Sequence, residues 1–210
     1  GNIKKFHGSI KWMLYKKYLS KFKDPYVLEI GGGRGGDLNK LKVHGVKYAL
    51  ITDVNSGGIN EAKLRYSEMN KKNFDVDFLV GNSTKNITNK ILSLIETKNK
   101  NINNFFDIVS IQFALHYFLK TKTTFQNFYN NVNSFLTPNG YIFATFLDGD
   151  SLNKLFKNQN TIKFNGSNQK PIFTIEKKYK SYNQFGSTVL VTGKTIGSHE
   201  EYLVNIEQLI

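Results

Sequence analysis

The sequence predicts an α/β fold: a mostly parallel central sheet with helices on both faces and a small antiparallel sheet appended. Three observations predict it. Short apolar runs alternate with amphipathic segments at regular spacing as far as Asp150. A glycine-rich turn in VLEIGGGRGGDL, Val27 to Leu38, joins the first apolar run to the next amphipathic one. Beyond Asp150 the alternation gives way to short strand-like runs separated by Gly and Asn.

Taken in order, KWMLYKKYLSKF (Lys11 to Phe22) carries Trp12, Tyr15, Leu19 and Phe22 at helical spacing, read as core packing, and Asp24-Pro25 ends it. YVLEI is a short buried strand and DLNKLKV a helix after the glycine turn. KYALITD, Lys47 to Asp53, is the second strand and INEAKLRYSEMNKK the helix that follows. FDVDFLVGN, Phe74 to Asn82, alternates as a third strand, and TKNITNKILSLIETKNK is mostly helix. Asn-rich TKNKNINN, Thr97 to Asn104, reads as a loop. FFDIVSIQFAL, Phe105 to Leu115, is the fourth strand, FQNFYNNVNSFL a helix, Pro138-Asn139-Gly140 a turn and GYIFATFL the fifth strand. IKFNG, PIFTIEKKYKSY and GSTVLVTGK are antiparallel strands, and EEYLVNIEQLI begins a helix. The expected organisation is one domain over residues 1–210. It comprises a helical segment 1–25, a cofactor-binding core 26–150, an antiparallel insertion 151–198 and the start of a C-terminal helix 199–210.

Composition narrows the function. With 40% hydrophobic and 21% charged residues the chain can bury a full core. It has no cysteine, which excludes a disulfide framework, a thiol nucleophile and a Cys-based zinc site. His7, His44, His116 and His199 form no HxxxH pair, so no metal site is expected. No apolar run approaches the roughly 20 residues that span a bilayer, and GNIKKFHGSIKW lacks a signal-peptide centre, so an intracellular protein with no membrane partner is expected. The net charge of +13, from 29 Lys+Arg against 16 Asp+Glu, favours a polyanionic partner such as nucleic acid. The competing explanation is an AT-rich genome whose lysines only solvate the surface.

The glycine turn holds five glycines in six positions, interrupted by Arg34. It lacks the Lys-Ser/Thr of a P-loop. Gly31-x-Gly33-x-x-Gly36 fits a dinucleotide fingerprint of the Rossmann type, and Asp53 ends the next strand where a ribose-binding acid belongs. Two acids pull away from a pyrophosphate. Glu29 stands two residues before Gly31, and Asp37 lies at the start of the following helix, where it would repel phosphate. An acid-rimmed loop suits a ligand with an ammonium and a sulfonium, S-adenosylmethionine. Asp53 would then take the ribose hydroxyls, with Asn82 and Ser83 at the adenine edge.

VLEIGGGRGGDL, ITDVNSGGINEAKLRY, SIQFALHYF and GYIFATFLDGDSL, with FHGSIK (Phe6 to Lys11) and EEYLV (Glu200 to Val204), resemble the mRNA cap guanine-N7 methyltransferases over nearly the whole chain. The QF-x-x-HY element is more specific than the glycine loop, and DGDSL looks most like the large-DNA-virus branch, where such a domain is part of a capping enzyme. The resemblance implies a Rossmann-like class I methyltransferase using S-adenosyl-L-methionine on guanine N7 of a 5′ GpppN cap. It implies Lys11, Gly31, Gly33, Asp37, Asp53, Asn82, Ser83, Gln112 and Tyr117 as cofactor-binding residues. It implies His7, Arg34, Lys40, Arg65, His116, Tyr117, Leu147 and Glu201 around the cap, with Arg34, Lys40 and Arg65 on its phosphates and the 151–198 insertion walling the cap pocket. It implies that His116, Tyr117 and Glu201 position the base, with no residue acting as acid or base and no metal required.

Implied partners are capped RNA and other capping-enzyme domains or a stimulatory subunit. The implied location is the cytoplasm, including a viral factory, or the nucleus. Asn82 stands where the family usually has Asp, Gly32 where Cys is common and Leu147 where some members have Pro. The family continues past EEYLV with two more strands, which do not follow Ile210, so C-terminal strands are expected to be missing. The alternatives are an inactive or incomplete methyltransferase-fold RNA-binding or stimulatory subunit, and a methyltransferase for another RNA position.

Overall fold

The computed structural model describes residues 2–98, 101, 105–166, 171–193 and 197–208. Most of the expected Asn-rich loop over 97–104 lies outside the described residues, as do the last two residues of the C-terminal segment. The chain divides into two compact units, 1–114 with 127–145, and 115–126 with 146–210.

The first unit opens with α1 (Asn2–Leu19), which starts well before the Lys11 expected from its apolar spacing. It carries no acid or proline, and Tyr15 and Leu19 on one face are buried. Trp12 is not core: it is 39% exposed, its ring edge-on to His44 at 4.7 Å. Asp24 adopts a positive φ before Pro25, and the chain enters β1 (Tyr26–Ile30). Then come α2 (Leu38–Val43), β2 (Tyr48–Asp53), α3 (Ser56–Glu68), β3 (Asp75–Val80), α4 (Thr88–Ile95) and β4 (Phe106–Gln112). After α5 (Lys122–Asn133), whose residues from 127 onward belong to this unit, β5 (Leu136–Thr145) completes a parallel sheet of order β3-β2-β1-β4-β5.

β1 lies between β2 and β4, with Leu28 opposite Leu50 and Val109, so its residues are covered on both faces and read as a continuous apolar run. Pro138-Asn139-Gly140 does not separate elements as expected. It is a looped-out irregularity inside β5, where the partner of β4 jumps from Leu136 to Tyr141. Val27, Ala49, Ile51, Ile108 and Phe143 on one face of the sheet pack with Tyr15 and Leu19 of α1, Leu38 and Leu41 of α2 and Ile59 of α3. α4 lies along β3, and α5 ties down the loop after it: buried Asn131 accepts from Ile87 N at 2.8 Å and donates to Lys85 O at 2.8 Å. The strand order reverses direction at β1, between β2 and β4. That reversal opens a crevice at the carboxyl ends of the strands.

The second unit contains a 3-10 helix (Leu115–Lys120), α6 (Gly149–Leu155) and an antiparallel sheet of β6 (Thr161–Asn165), β7 (Pro171–Lys177), β8 (Thr188–Gly193) and β9 (Gly197–Tyr202). Leu152, Phe156, Ile162, Ile175, Val189, Val191 and Leu203 form its core. α6 has an Asx cap, Asp148 accepting from Ser151 N at 3.1 Å and Ser151 Oγ at 2.6 Å. Here too an expectation is corrected. EEYLV does not begin a helix: Glu200, Glu201 and Tyr202 end the edge strand β9, paired with Leu190, Val189 and Thr188. Among the described residues beyond it, Ile206–Gln208 is a 3-10 turn.

Candidate active site

The carboxyl end of β1 runs straight into the glycine loop. Gly31 and Gly32 donate to Thr52 O at 2.9 and 3.1 Å, which folds the loop over the end of β2. Gly31 has φ +74°, and a Cβ there would sit 2.4 Å from Ala114 Cβ; a Cβ on Gly32 would sit 2.4 Å from Ile51 Cγ2. The loop therefore needs glycine at both positions, and a cysteine at 32 would require Ile51 to move. Gly33 donates its N–H to Asp53 Oδ2 at 2.8 Å, and Asn55 N donates to Asp53 Oδ1 at 2.8 Å. Each oxygen keeps a lone pair for a ligand hydroxyl.

Asp37, directly after the loop, is buried and bound by two lysines. Lys11 Nζ of α1 lies 2.7 Å from both of its oxygens, and Lys40 Nζ lies 2.8 Å from Oδ1. Glu29 lies beneath Gly32, its carboxyl carbon 3.3 Å from where a Cβ would be. It is 1% exposed, and its Oε2 has no hydrogen-bond partner. Burial pushes the Glu29 carboxyl well above the usual carboxylate range, with Asp37 adding repulsion and Lys11 and Lys40 opposing it. Three carboxyls thus face two ammonium groups, one negative charge in excess if Glu29 is ionised.

At the end of β3, Asn82 uses its amide oxygen internally, accepting from Thr84 N at 3.0 Å and Thr84 Oγ1 at 2.7 Å. Ser83 beside it is buried, and its carbonyl accepts from Asn131. At the end of β4, Gln112 sits within a hydrogen-bonded chain: Tyr15 OH to Ser110 Oγ at 2.9 Å, Gln112 Nε2 to Ser110 Oγ at 3.0 Å, and Thr145 Oγ1 to Gln112 Oε1 at 3.0 Å. Phe113 follows in a positive-φ conformation, its ring 4.5 Å from that of His7. Burial, then Lys11, lowers the His7 pKa.

The three cations expected on phosphates are each already paired. Lys40 holds Asp37, while the exposed Arg34 and Arg65 share Glu61 on α3, Arg34 at 3.3 Å. Glu61 carried no signal of function in the sequence, although its i,i+4 spacing from Arg65 makes the pair legible.

In the second unit, His116 and Tyr117 of the 3-10 helix meet the edge strand β9. His116 is buried, its Nδ1 3.8 Å from Glu201 Oε2, its Nε2 without a hydrogen-bond partner and its ring 4.0 Å from that of half-exposed Tyr117. Burial lowers the His116 pKa; Glu201 opposes that and His199 adds to it. His199 Nε2 lies 2.8 Å from Glu201 Oε1. The contact of His199 with Glu201 was not expected from the sequence. Its signal, H-x-E at strand spacing, was hidden by reading EEYLV as helical. Leu147 packs on the second unit's apolar core.

Among the described residues no group of three or more His, Cys, Asp or Glu could hold a metal ion, and no helix is long and apolar enough to cross a membrane. The fold is shared by solved structures. A S-adenosylmethionine-dependent methyltransferase from Clostridium acetobutylicum superposes over 100% of this chain and 85% of its own, with TM-score 0.60 and 14% identity. The PH0226 protein from Pyrococcus horikoshii superposes over 96% and 77%, with TM-score 0.58 and 16% identity. Relatives in sequence include a probable mRNA-capping enzyme of Acanthamoeba polyphaga mimivirus, 29% identical over 76% of this chain and 16% of that protein. Two others are called mRNA cap guanine-N(7) methyltransferase. That of Schizosaccharomyces pombe is 31% identical over 74% of this chain and 41% of its own, and that of Caenorhabditis elegans 36% over 61% and 33%. The chain spans less than half the length of each of these relatives. Residues 2–210 match the mRNA (guanine-N(7))-methyltransferase domain, and the chain belongs to that family.

Proposed function

We propose that this chain transfers a methyl group from S-adenosylmethionine to N7 of the guanine in a 5′ GpppN cap. The observation that carries this assignment is the acid set at the glycine loop. Glu29 has Asp37 and Asp53 among its charged neighbours, Lys11 and Lys40 are both paired with Asp37, and the Glu29 Oε2 atom is buried without a partner. S-adenosylmethionine has two cationic groups and one carboxylate, a net charge of +1, which offsets the negative charge that Glu29 carries once it ionises. The residues therefore fit it.

Bound there, the cofactor would supply a methyl on a sulfonium, a leaving group that needs no acid. Guanine N7 carries a free lone pair, so no residue need act as base. The protein's task is orientation and charge, worth on the order of 7–11 kcal/mol in good cases. Asp53 accepts the ribose hydroxyls, and Gly31 and Gly33 let the backbone come close. Glu29 and Asp37 meet the cationic end, and Lys11, with three donors, keeps one for the cofactor carboxylate. Ser83 and the Asn82 amide group lie on the adenine side, and Gln112, held by Ser110 and Thr145, forms the wall after β4. In the second unit Glu201 accepts from guanine N1–H and the N2 amine, His116 donates toward O6, and Tyr117 and Leu147 bound the base and sugar. The family resemblance gives His7 a role at the base and Arg34 and Arg65 roles at the phosphates. Lys40, held by Asp37, serves the cofactor end instead.

On this assignment the two units act as one methyltransferase domain inside the cell, on capped RNA. Other capping domains or a stimulatory subunit are fitting partners, supported by the mimivirus capping-enzyme relative. The test is thermal melting with S-adenosylhomocysteine and then GpppA or GpppG, followed by methyl transfer from labelled cofactor. Stabilisation by both ligands and a product methylated at N7 support the proposal. Stabilisation by the first alone would give a different substrate, and no response to either would leave the glycine loop without a ligand.

A further inference from the structure

His199 and Glu201 are two residues apart on the edge strand β9, opposite Val191 and Val189, so both side chains leave the same face of the sheet. His199 Nε2 lies 2.8 Å from Glu201 Oε1, while His116 Nδ1 is 3.8 Å from Oε2, too long for a hydrogen bond. Glu201 is largely buried, whereas the His199 side chain keeps a third of its surface in solvent. A carboxylate that accepts two donors from the edge of one planar base must lie in the plane of that base. A glutamate side chain does not fix that plane, because its terminal torsion is broad. A donor on one oxygen does fix it, and it leaves the second lone pair of that oxygen and all of Oε2 for a ligand.

We infer that His199 is a positioning residue for guanine recognition: its Nε2–H sets the Glu201 carboxylate in the plane that accepts from guanine N1–H and the N2 amine. The inference rests on the guanine-binding role proposed for Glu201. It makes His199 a determinant of base specificity rather than of methyl transfer, since it acts through the carboxylate that reads the N1 and N2 edge of the base.

The test compares His199→Ala, His199→Gln and Glu201→Gln in the full chain. Substrates are GpppA and its inosine counterpart, which lacks the N2 amine. His199→Ala should raise KM for GpppA about tenfold, the scale of one lost hydrogen bond to a charged group. It should leave kcat and S-adenosylhomocysteine affinity within about twofold and pull the preference for guanosine over inosine toward unity. His199→Gln, whose amide donates to the same oxygen, should restore most of that preference. In a Glu201→Gln background, His199→Ala should add no further loss. If the alanine variant melts early, His199→Leu keeps the bulk without the donor. A wild type that discriminates guanosine from inosine, beside a His199→Ala variant that discriminates equally, overturns the inference alone. A wild type that binds both caps equally overturns the role of Glu201 and the inference with it.

Discussion

The backbone N–H of Gly33 donates to Oδ2 of Asp53 at 2.8 Å, so one carboxylate both shapes the glycine loop and ends the strand beside it. Asn55 N occupies the other oxygen. Asp53→Ala should therefore remove the acceptors of two backbone N–H groups as well as the acceptors proposed for the ribose. Hydrogen bonds to charged groups contribute roughly 1.5–3 kcal/mol each, so cofactor affinity should fall by about 100-fold or more. Asp53→Asn, with one acceptor oxygen left, should fall between. Calorimetric titration with S-adenosylhomocysteine checks this, and wild-type affinity in Asp53→Asn would mean that the charge is not needed.

Glu29 makes a pH prediction. Its folded pKa is raised by burial first and by Asp37 second. Below the usual carboxylate range the folded and unfolded chains are both protonated there and Glu29 costs nothing. As pH rises, the unfolded chain ionises first, and ligand-free stability declines until the folded pKa is passed. His116, whose pKa is lowered, runs the other way, so the difference between wild type and Glu29→Gln isolates the effect. The variant should melt at a higher temperature than wild type at pH 7.5, with the gap closing near pH 4.5, and it should bind S-adenosylhomocysteine more weakly. Wild-type binding should also release a proton, visible as a buffer-dependent enthalpy. A gap that does not vary with pH would show that Glu29 is ionised in the ligand-free protein.

The five parallel strands were legible because each is a short apolar run bounded by turn residues, and Gly31, Gly33 and Asp53 could be placed from their position after strands. What was not legible depended on partners distant in sequence. EEYLV has the charge and apolar mix of a helix start; pairing with β8 makes it a strand, and that pairing brings His199 to Glu201. Trp12 has helical spacing but lies on the exposed side of α1, because the core-facing stripe is set by Tyr15 and Leu19. The ion pair of Lys40 with Asp37 was not drawn from the sequence, although i,i+3 spacing makes it legible.

Tyr15 tests the buried chain that holds Gln112. Its hydroxyl meets Ser110 Oγ at 2.9 Å with no exposure to solvent, and Ser110 accepts from Gln112. Tyr15→Phe keeps the packing against Phe143 and leaves the Ser110 hydroxyl one partner short. The cost should be about 1–2 kcal/mol, lowering Tm by about 2–8 °C in a chain of this size. Cofactor affinity should change by less than about threefold. Urea denaturation measures the first and titration the second; an unchanged Tm would mean that the Ser110 hydroxyl finds another partner.

Glu61 decides whether Arg34 and Arg65 can reach phosphates. The two guanidinium groups share its carboxylate and are otherwise exposed, and exposed pairs contribute about 0.2–1 kcal/mol. Glu61→Gln should release both arginines and remove a negative charge beside the RNA. Affinity for capped RNA should rise about two- to fivefold at low salt, and its dependence on salt should steepen as more counterions are displaced. Adding Arg34→Ala and Arg65→Ala to Glu61→Gln should reverse both changes. Binding measured across a salt series distinguishes the outcomes. If Glu61→Gln leaves both affinity and salt slope unchanged, the two arginines lie off the path of the RNA, and the pair with Glu61 is an ordinary surface ion pair on α3.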